Sequence, residues 1–487
     1  MAKELVRSRF APSPTGFMHV GNLRTALYEY LIAKSQGGQF ILRLEDTDQE
    51  RFVEGAEAVI FQTLRRVGIS HDEGPDIGGP YGPYVQSQRL SMYRPYAEQL
   101  VREGKAYYCF CTKERLEALH QDGAFGGYDR HCRDLPQAEI ERLLQSGVPY
   151  VIRQKTPTEG TTTFTDAVFG EITVENKELD DQILLKSDGF PTYNFANVID
   201  DHTMHITHVV RGSEYLSSAP KYNLLYGAFG WQVPTYVHLP LIMGKNSDGT
   251  VSKLSKRHGA TSFEGLVQEG YLPEAVVNYI ALLGWCPKDT RELFTLCELV
   301  EHFSIDGISK SPAVFDYDKL LWFNGEYLRK KSPAEFTALA MPYYKQVFGE
   351  AQPDYAVLAA ILQPRVTKLT QIPEMIAFFG ALPEYDLELF VNKKSKTNLE
   401  NSPAMLKAAI GALEQLPEWE QSAIHDLLID LAARLEVKNG TLMWPVRIAA
   451  SGTAVTPGGA VEILAILGRE EALRRLRMGL ERLTAVQ

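Results

Sequence analysis

Two loops carry the residues best suited to phosphate chemistry, and the first is rich in proline and glycine. It reads Pro12-Ser13-Pro14-Thr15-Gly16-Phe17-Met18-His19-Val20-Gly21-Asn22, between a short apolar strand and a helical pattern. Free backbone N–H groups at a helix start can bind a phosphate, and Gly21 leaves room for a nucleotide. His19 can donate to a phosphate oxygen. Taken alone, the loop could equally be an ordinary turn whose histidine caps a helix.

The second loop, Lys253-Leu254-Ser255-Lys256-Arg257, holds three cations within five residues and is flanked by glycines. A mobile basic loop of this kind can close over a polyphosphate and stabilise the charge that develops on a leaving pyrophosphate. A solvated basic loop is the commoner outcome for such a run. Its significance therefore depends on the first loop.

A third cluster has the composition of a metal site. Three of the five cysteines, Cys109, Cys111 and Cys132, lie close together, and their odd total argues against a disulfide framework. Three thiolates suit a structural, tetrahedral Zn²⁺ that needs one further ligand. Tyr128, His131 and Asp134 are all candidates for that ligand; the alternative is a set of reduced cysteines without metal.

The elements around the first loop predict how it is positioned. A strand over Val6–Ala11, a helix from about His19 to Ser35 and a strand over Gln39–Leu44 form a βαβ unit. Such a unit implies a parallel sheet with a ligand crevice at the carboxyl ends of its strands.

The rest of the chain changes character twice. Residues 107–190 interrupt the α/β pattern with the cysteine cluster and Thr-rich, strand-like segments near Thr161–Thr165, which indicates an α+β insertion. The α/β pattern returns over Phe190–Ala260, and the chain is mostly helical beyond Glu264. Helices are predicted there over Ala359–Lys368, Ala404–Leu416 and Ala423–Leu435.

Composition limits the class of protein. With 487 residues, 45% of them apolar, the chain is expected to fold as several domains. A signal peptide and an apolar run long enough for a membrane span are both missing from the sequence, so we expect a cytoplasmic protein. The net charge of −11 argues mildly against a nucleic-acid partner, although an acidic body can carry a basic face.

As a pair, the two loops resemble the HIGH and KMSKS signatures of class I aminoacyl-tRNA synthetases. Here the signatures read His19-Val20-Gly21-Asn22 and Lys253-Leu254-Ser255-Lys256-Arg257. Further segments resemble the glutamyl branch of that family: Arg9–Gly16, Arg43–Asp48, Pro191–Asn197 and Ile206–Gly212. The resemblance covers most of the chain and is densest before residue 330.

The resemblance implies a site for each substrate. Arg9 and Arg211 would hold the side-chain carboxylate of glutamate, and Glu45 would hold its α-ammonium group. The remaining glutamate-binding positions are Ala11, Ser13, Tyr193, Asn197 and Tyr215, the last replacing a tryptophan of some members. The implied ATP-binding positions are Thr15, Gly16, His19, Gly21, Asn22, Glu214, Lys253, Ser255 and Lys256, with His19, Lys253 and Lys256 catalytic.

The resemblance also implies the reaction and the partners. The chain would use ATP with Mg²⁺ to activate L-glutamate, in the presence of bound tRNA, and would transfer it to tRNA-Glu as a monomer. Arg365, Arg447, Thr456 and Pro457 would contact the anticodon. The run from Lys393 to Lys396 could contact the RNA backbone or be a solvated face.

The fold implied is an α/β Rossmann-like catalytic domain with an α+β insertion, followed by an all-α anticodon-binding half. The predicted parts are 1–108 and 191–263 for the catalytic domain, 109–190 for an acceptor-end-binding insertion with the zinc cluster, 264–325 for a helical stem-contact domain, and 326–385 and 386–487 for two helical anticodon-binding subdomains. A glutaminyl-tRNA synthetase, which would end in β-barrels, and a non-catalytic zinc-containing RNA-binding protein are the alternatives.

Overall fold

The computed structural model describes residues 5–47, 53–121, 128–246 and 248–485, apart from the side chains of residues 120, 121 and 256. The chain forms two compact units. The first comprises Met1–Leu266 with Val276–Asp316, and the second comprises Val267–Ala275 with Tyr317–Gln487. Within the described ranges, no helix combines the length and the apolar character that crossing a membrane requires.

The first unit is built on a six-stranded sheet. Its strands are β1 (Arg7–Phe10), β2 (Gln39–Leu42), β5 (Thr161–Asp166), β6 (Gly170–Glu175), β8 (His208–Gly212) and β9 (Thr235–Leu239). Their spatial order is β2-β1-β8-β9-β5-β6, and every neighbouring pair is parallel except β5 with β6. The parallel sheet expected from the βαβ pattern is therefore confirmed.

Two smaller sheets complete the strands of this unit. One contains β3 (Ala106–Cys109), β4 (Val151–Gln154) and β7 (Ile183–Leu185), and the other contains β10 (Ile242–Lys245), β11 (Val251–Lys253) and β12 (Ala313–Phe315). The helices before residue 316 are α1 (Val20–Ser35), α2 (Ala56–Arg66), α3 (Leu90–Arg102), α4 (Lys113–Gln121), α5 (Gln137–Gln145), α6 (Tyr193–Thr203), α7 (Ala219–Phe229), α8 (Phe263–Gln268), α9 (Pro273–Ala281) and α10 (Leu296–His302).

Local sequence explains how α1 connects β1 to β2. His19 is the N-cap residue, and its ring accepts a hydrogen bond from the N–H of Gly21. Gly37, at φ +68°, ends the helix in the left-handed conformation that glycine adopts without strain. A side chain at Gly38 would collide with the backbone of Val6, so the return into β2 needs a glycine there as well. The two glycines therefore allow the chain to return directly from α1 into β2.

The hairpin β5–β6 lies within residues 109–190, which the sequence indicates as an insertion. Nevertheless, β5 pairs in parallel with β9 and thereby extends the large sheet. The strand character expected near Thr161–Thr165 is confirmed, whereas the finer division of the chain into parts stays a prediction.

The second unit is helical, as expected. Its helices beyond residue 316 are α11 (Tyr317–Lys330), α12 (Pro333–Phe348), α13 (Tyr355–Leu362), α14 (Ile372–Gly380), α15 (Ser402–Glu414), α16 (Gln421–Arg434), α17 (Asn439–Ser451), α18 (Ala460–Leu467) and α19 (Arg469–Thr484). The predicted helices Ala404–Leu416 and Ala423–Leu435 correspond to α15 and α16. The predicted helix Ala359–Lys368 is wrong in its bounds, because α13 starts at Tyr355, after the cap residue Asp354, and stops before Pro364.

One buried arginine joins three segments of this unit. Arg475, on α19, donates hydrogen bonds to the carbonyl oxygens of Phe378 at 2.7 Å, Ala450 at 3.0 Å and Phe379 at 3.1 Å. Its Nε lies 2.6 Å from the carboxylate of Glu471 one turn earlier. The guanidinium group therefore satisfies carbonyl groups at the ends of α14 and α17 that would otherwise be buried without a donor.

We predict that Arg475→Met lowers the free energy of unfolding by about 3 kcal/mol or more, because each buried carbonyl left without a donor costs about 1–3 kcal/mol. Urea unfolding of the full chain, followed by circular dichroism, measures this. Arg477→Met is the matched control, since Arg477 lies on the same helix with a side chain 54% exposed. Equal midpoints for the two variants would contradict the structural role of Arg475.

Candidate functional site

The first unit contains a cavity of about 460 Å³ beside β1, β8 and the segment that follows β9. Thr15, His19, Gly21 and Asn22 of the first loop line it, and so does Lys253 of the second loop. The two loops that the sequence singled out separately therefore meet at one cavity. Its position at the carboxyl ends of parallel strands is that expected of a ligand site in an open α/β sheet.

His19 has a defined protonation state in this cavity. Its Nδ1 accepts a hydrogen bond from the N–H of Gly21 at 3.0 Å, so the proton of the neutral ring resides on Nε2. Burial, together with the nearby charge of Lys253, lowers the pKa of His19 below its ordinary value. Near neutral pH the ring is a neutral N–H donor at the start of α1, where the helix dipole favours an anion.

Asp201 is the centre of a buried ionic network behind the cavity. Its carboxylate lies 2.9 Å from Nε of Arg9, 2.7 Å from Nη1 of Arg43 and 3.9 Å from Nη2 of Arg211. Burial alone would raise the pKa of Asp201, but Arg9 and Arg43 outweigh it and lower the pKa to about 2. Asp201 is thus ionised at neutral pH and holds together three cations that repel one another.

Arg211 has more buried nitrogen atoms without a hydrogen-bond partner than Arg43, of which only Nε lacks one among the described residues. Nε and Nη1 of Arg211 are buried and have no hydrogen-bond partner within the residues that the structure describes. The guanidinium carbon lies 5.5 Å from the ring centre of Tyr215 and 4.9 Å from that of Tyr222. Since Arg211 lines the cavity, its free N–H groups suit an anionic ligand such as a carboxylate.

Glu45 is an acidic residue of the cavity wall, close to the arginines of the network. One of its oxygens lies 3.0 Å from Nη2 of Arg43, and Arg43 in turn pairs with Asp201. Burial raises the pKa of Glu45, and the attraction of Arg43 opposes that rise. The cavity therefore presents cationic groups at Arg9 and Arg211 and an acidic group at Glu45.

Most of the residues predicted for the two substrates line the cavity. They are Arg9, Ala11, Ser13, Thr15, His19, Gly21, Asn22, Glu45, Tyr193, Arg211, Glu214, Tyr215 and Lys253. Asn197 instead lies behind the wall, with Oδ1 3.5 Å from Nη2 of Arg211. Gly16 supplies the turn at φ +118°, and the N–H of Ser255 donates to the ring of His258 at 3.0 Å. The side chain of Lys256 lies outside the described residues.

Sequence reasoning missed the residues that support this wall. Arg24, buried on α1, donates to the carbonyl oxygen of Leu283 at 3.0 Å and to that of Pro240, and so braces the cavity-lining segment Pro240–Ile242. Asp201 was missed as well. A detectable signal exists for both, since each is a charged residue within the apolar pattern of a helix and therefore needs a buried partner.

The three clustered cysteines come together as predicted. The sulfur atoms of Cys109, Cys111 and Cys132 all lie within 4.8 Å of one another. The hydroxyl of Tyr128 is 3.2 Å from the sulfur of Cys109 and 3.5 Å from that of Cys111. A hydrogen bond from Cys132 is the main cause that lowers the pKa of the Cys109 thiol. A thiolate among further sulfur donors fits a zinc ion chemically.

The other two candidates for the fourth ligand lie elsewhere. Asp134 pairs with Lys155 at 3.0 Å, and its side chain is 79% exposed. His131 is exposed, and its backbone N–H donates to the carboxylate of Asp129 at 3.3 Å. Only Tyr128, among the three candidates, is placed beside the sulfur atoms.

The second unit has its own cavity, of about 940 Å³. Arg365, Thr456 and Pro457 line it, although they are far apart in the sequence, together with apolar side chains such as Phe378 and Leu382. Arg447 is not part of the lining. It donates to Thr456 Oγ1 and to the carbonyl oxygen of Ala454, both at 2.9 Å, and so holds the loop that carries Thr456 and Pro457.

Comparison with known proteins agrees with these features. The family model described as tRNA synthetases class I (E and Q), catalytic domain, matches residues 5–322, and the anticodon binding domain model matches residues 335–480. A glutamate–tRNA ligase from Clostridium novyi (strain NT) is 57% identical over 486 residues, which cover 99% of both chains. One from Clostridium tetani (strain Massachusetts / E88) is 57% identical over 482 residues, 98% of both chains.

A solved structure is similar over the same length. The crystal structure of a glutamate tRNA ligase from Elizabethkingia meningosepticum CCUG26117, in complex with its amino acid, matches with a TM-score of 0.89 and 36% identity. The match covers 99% of this chain and 100% of the other. The chain therefore belongs to the class I aminoacyl-tRNA synthetases, in the group that contains the glutamyl and glutaminyl enzymes.

Proposed function

We propose that the chain is a glutamate–tRNA ligase that activates L-glutamate with ATP and transfers it to the terminal adenosine of tRNA-Glu. The observation that carries the proposal is that Nε and Nη1 of Arg211 have no partner among the described residues. Arg211 lines the same cavity as Arg9 and the Pro/Gly-rich first loop. Relatives that share more than half of their residues with this chain bear that name. A glutaminyl enzyme would end in β-barrels, whereas the second unit is helical.

Glutamate recognition follows from the charges of the cavity. Arg9 and Arg211 bind the side-chain carboxylate, and Glu45 accepts from the α-ammonium group. Ala11, Ser13, Tyr193 and Tyr215 complete the wall, while Asn197 orients Arg211 from behind. Glutamine is disfavoured because its neutral amide leaves the charge of buried arginines unmatched.

ATP occupies the part of the cavity formed by the two loops. Thr15, Gly21 and Asn22 give its phosphates a backbone cradle at the start of α1, and Gly16 permits the preceding turn. His19 donates through Nε2, and Lys253 contributes charge from the opposite side. Lys256 and Ser255 belong to the same basic loop, and Mg²⁺ enters with the nucleotide phosphates. Glu214 lines the cavity near Gly212.

The reaction needs alignment and charge stabilisation rather than a side-chain nucleophile. A carboxylate oxygen of the glutamate α-carboxyl group attacks the α-phosphorus of ATP, and the bond to pyrophosphate breaks. A ribose hydroxyl of the terminal adenosine then attacks the carbonyl carbon, and AMP leaves. His19 and Lys253 stabilise charge that builds up on the phosphates in the first step.

Two further regions serve the tRNA in this proposal. Cys109, Cys111, Cys132 and Tyr128 hold a structural Zn²⁺ in the segment that contacts the acceptor end, without Asp134. In the second unit, Arg365, Thr456 and Pro457 contact anticodon bases, and Arg447 positions their loop. We further propose that the enzyme acts as a monomer in the cytoplasm, where its substrates are found.

The deciding experiment is exchange of labelled pyrophosphate into ATP, with glutamate or glutamine, in the presence and absence of total tRNA. We expect exchange only with glutamate and tRNA together. Exchange with glutamine would overturn the assignment of the cavity. The absence of exchange under every condition would support the non-catalytic RNA-binding alternative.

We predict that Arg211→Lys raises the KM for glutamate on the order of 10- to 100-fold, because a charge-assisted hydrogen bond contributes about 1.5–3 kcal/mol and lysine cannot bind a carboxylate with two parallel N–H groups. The KM for ATP is expected to stay within a factor of about three. Pyrophosphate exchange measures both constants. Arg65→Lys, at a side chain 77% exposed, is the control. An unchanged KM for glutamate would remove Arg211 from the carboxylate site.

We predict that the purified protein holds about one Zn²⁺ per chain, as expected for a closed site of sulfur ligands, and that Cys132→Ser abolishes binding. Elemental analysis by mass spectrometry measures the content. Asp134→Asn should keep the zinc, because its carboxylate is paired with Lys155, whereas Tyr128→Phe should weaken binding. A wild-type protein that takes up no zinc after reconstitution would refute the site.

A further inference from the structure

A short turn in the second unit presents three lysines on an exposed surface. We call residues Asn392–Thr397 the lysine turn; it carries Lys393, Lys394 and Lys396, all of them exposed. None of the three takes part in an ion pair with a described residue, whereas Lys331 pairs with Glu274 and Lys368 pairs with Glu269. The turn is therefore a local concentration of unneutralised positive charge on a chain with a net charge of −11.

The backbone of the lysine turn is held rigidly. Asn392 and Thr397 exchange two backbone hydrogen bonds, at 3.0 and 3.1 Å. The side chain of Asn392 accepts from the N–H of Ser395 at 2.9 Å, and the side chain of Asn401 donates to the carbonyl oxygen of Lys396 at 2.9 Å. A turn fixed in this way loses little conformational entropy when its lysines bind a partner.

Lys396 has a backbone conformation that is unusual for lysine. Its φ of +56° lies in the left-handed region, which glycine and asparagine adopt more easily. The neighbouring hydrogen bonds hold it there, and strain of this kind often accompanies a functional surface. Position 396 therefore adds a third ammonium group to the turn, although glycine or asparagine would adopt this backbone conformation with less strain.

The lysine turn is placed at one end of α17. Thr441, in the first turn of α17, donates through its hydroxyl to the carbonyl oxygen of Ser395 at 2.7 Å. The opposite end of α17 leads into the loop whose residues Thr456 and Pro457 line the cavity of the second unit. Since a helix rises 1.5 Å per residue, its 13 residues place the two features about 20 Å apart.

We propose that the lysine turn binds the phosphodiester backbone of the RNA whose unpaired bases enter the cavity lined by Arg365, Thr456 and Pro457. A separation of about 20 Å is short for a nucleic-acid arm, since the phosphates of a duplex strand follow one another at roughly 3.4 Å along the axis. RNA bases that enter the cavity at the C-terminal end of α17 therefore bring the phosphodiester backbone of the same RNA arm within reach of the lysine turn at the N-terminal end. A lysine ammonium group is a compact point charge, and lysines without an ion-pair partner suit contacts to phosphates. Such contacts position the RNA and do not depend on its base sequence. The inference rests on the proposed function.

The test compares two triple variants with the same loss of charge. Lys393→Gln/Lys394→Gln/Lys396→Asn removes the positive charges, and asparagine at position 396 tolerates the left-handed backbone. The control is Lys330→Gln/Lys345→Gln/Lys407→Gln, at three exposed lysines on helices. For both variants and the wild type, kcat/KM for tRNA in aminoacylation is measured across salt concentrations. Thermal unfolding shows whether each variant is folded.

We expect the turn variant alone to change. Its plot of log kcat/KM for tRNA against log salt concentration should be shallower by about two units, since each phosphate contact contributes roughly 0.7–0.9 to the slope. At low salt its KM for tRNA should rise about tenfold or more, with the KM values for ATP and glutamate unchanged.

Equal slopes in the wild type and the turn variant would overturn the inference, and so would equal changes in both variants. A wild type that cannot charge tRNA with glutamate would instead refute the proposed function. The two failures are therefore distinguishable in one set of assays.

Discussion

The attraction between Asp201 and three arginines is the interaction on which the cavity of the first unit depends. Arg9, Arg43 and Arg211 come from three neighbouring parallel strands or their ends, and their guanidinium groups would repel one another in a buried space. The carboxylate of Asp201, on α6, lies among all three, while Glu29 and Glu45 pair with Arg9 and Arg43. The arginines keep Asp201 ionised, with its pKa lowered to about 2. A buried ionic network of this kind tolerates the loss of no single member, because each loss leaves an unpaired charge.

The ionic network leaves donors of Arg211 available to a ligand. Arg9 is paired on two sides, by Asp201 and Glu29, while Arg211 keeps two buried N–H groups without a partner in the described part of the chain. Burying donors unsatisfied is unfavourable, so a ligand that supplies two acceptor atoms gains more there than it would at the surface. The same unpartnered N–H groups then provide both the affinity for a carboxylate and the discrimination against an amide.

The sequence predicts the residues of the two loops better than it predicts the buried residues that hold the cavity wall in place. The strand, turn and helix from Arg7 to Ser35 follow from local patterns, and the motif residues Arg9, His19 and Lys253 all line one cavity. Asp201 and Arg24 could not be assigned, because their partners lie up to about 260 residues away in the chain and depend on how the sheet closes. The apolar periodicity also placed a helix across Pro364, although the residue before a proline disfavours the helical conformation and α13 ends at Leu362.

The arginines of both units separate into two classes by the partners of their donors. Arg24, Arg447 and Arg475 donate to backbone carbonyl oxygens or to a neighbouring hydroxyl, and each thereby fixes a loop or a helix end. Arg211 instead keeps free donors at a cavity wall. At the cavity of the first unit, both terminal nitrogens of Arg24 donate to carbonyl oxygens, so Arg24 cannot bind a substrate through them without breaking bonds that hold the fold. Arg211 lines the same cavity, and its Nη1 has no hydrogen-bond partner among the described residues. The partners of the terminal nitrogens, rather than the residue type or its motif, therefore distinguish the positioning arginine from the binding one at this wall.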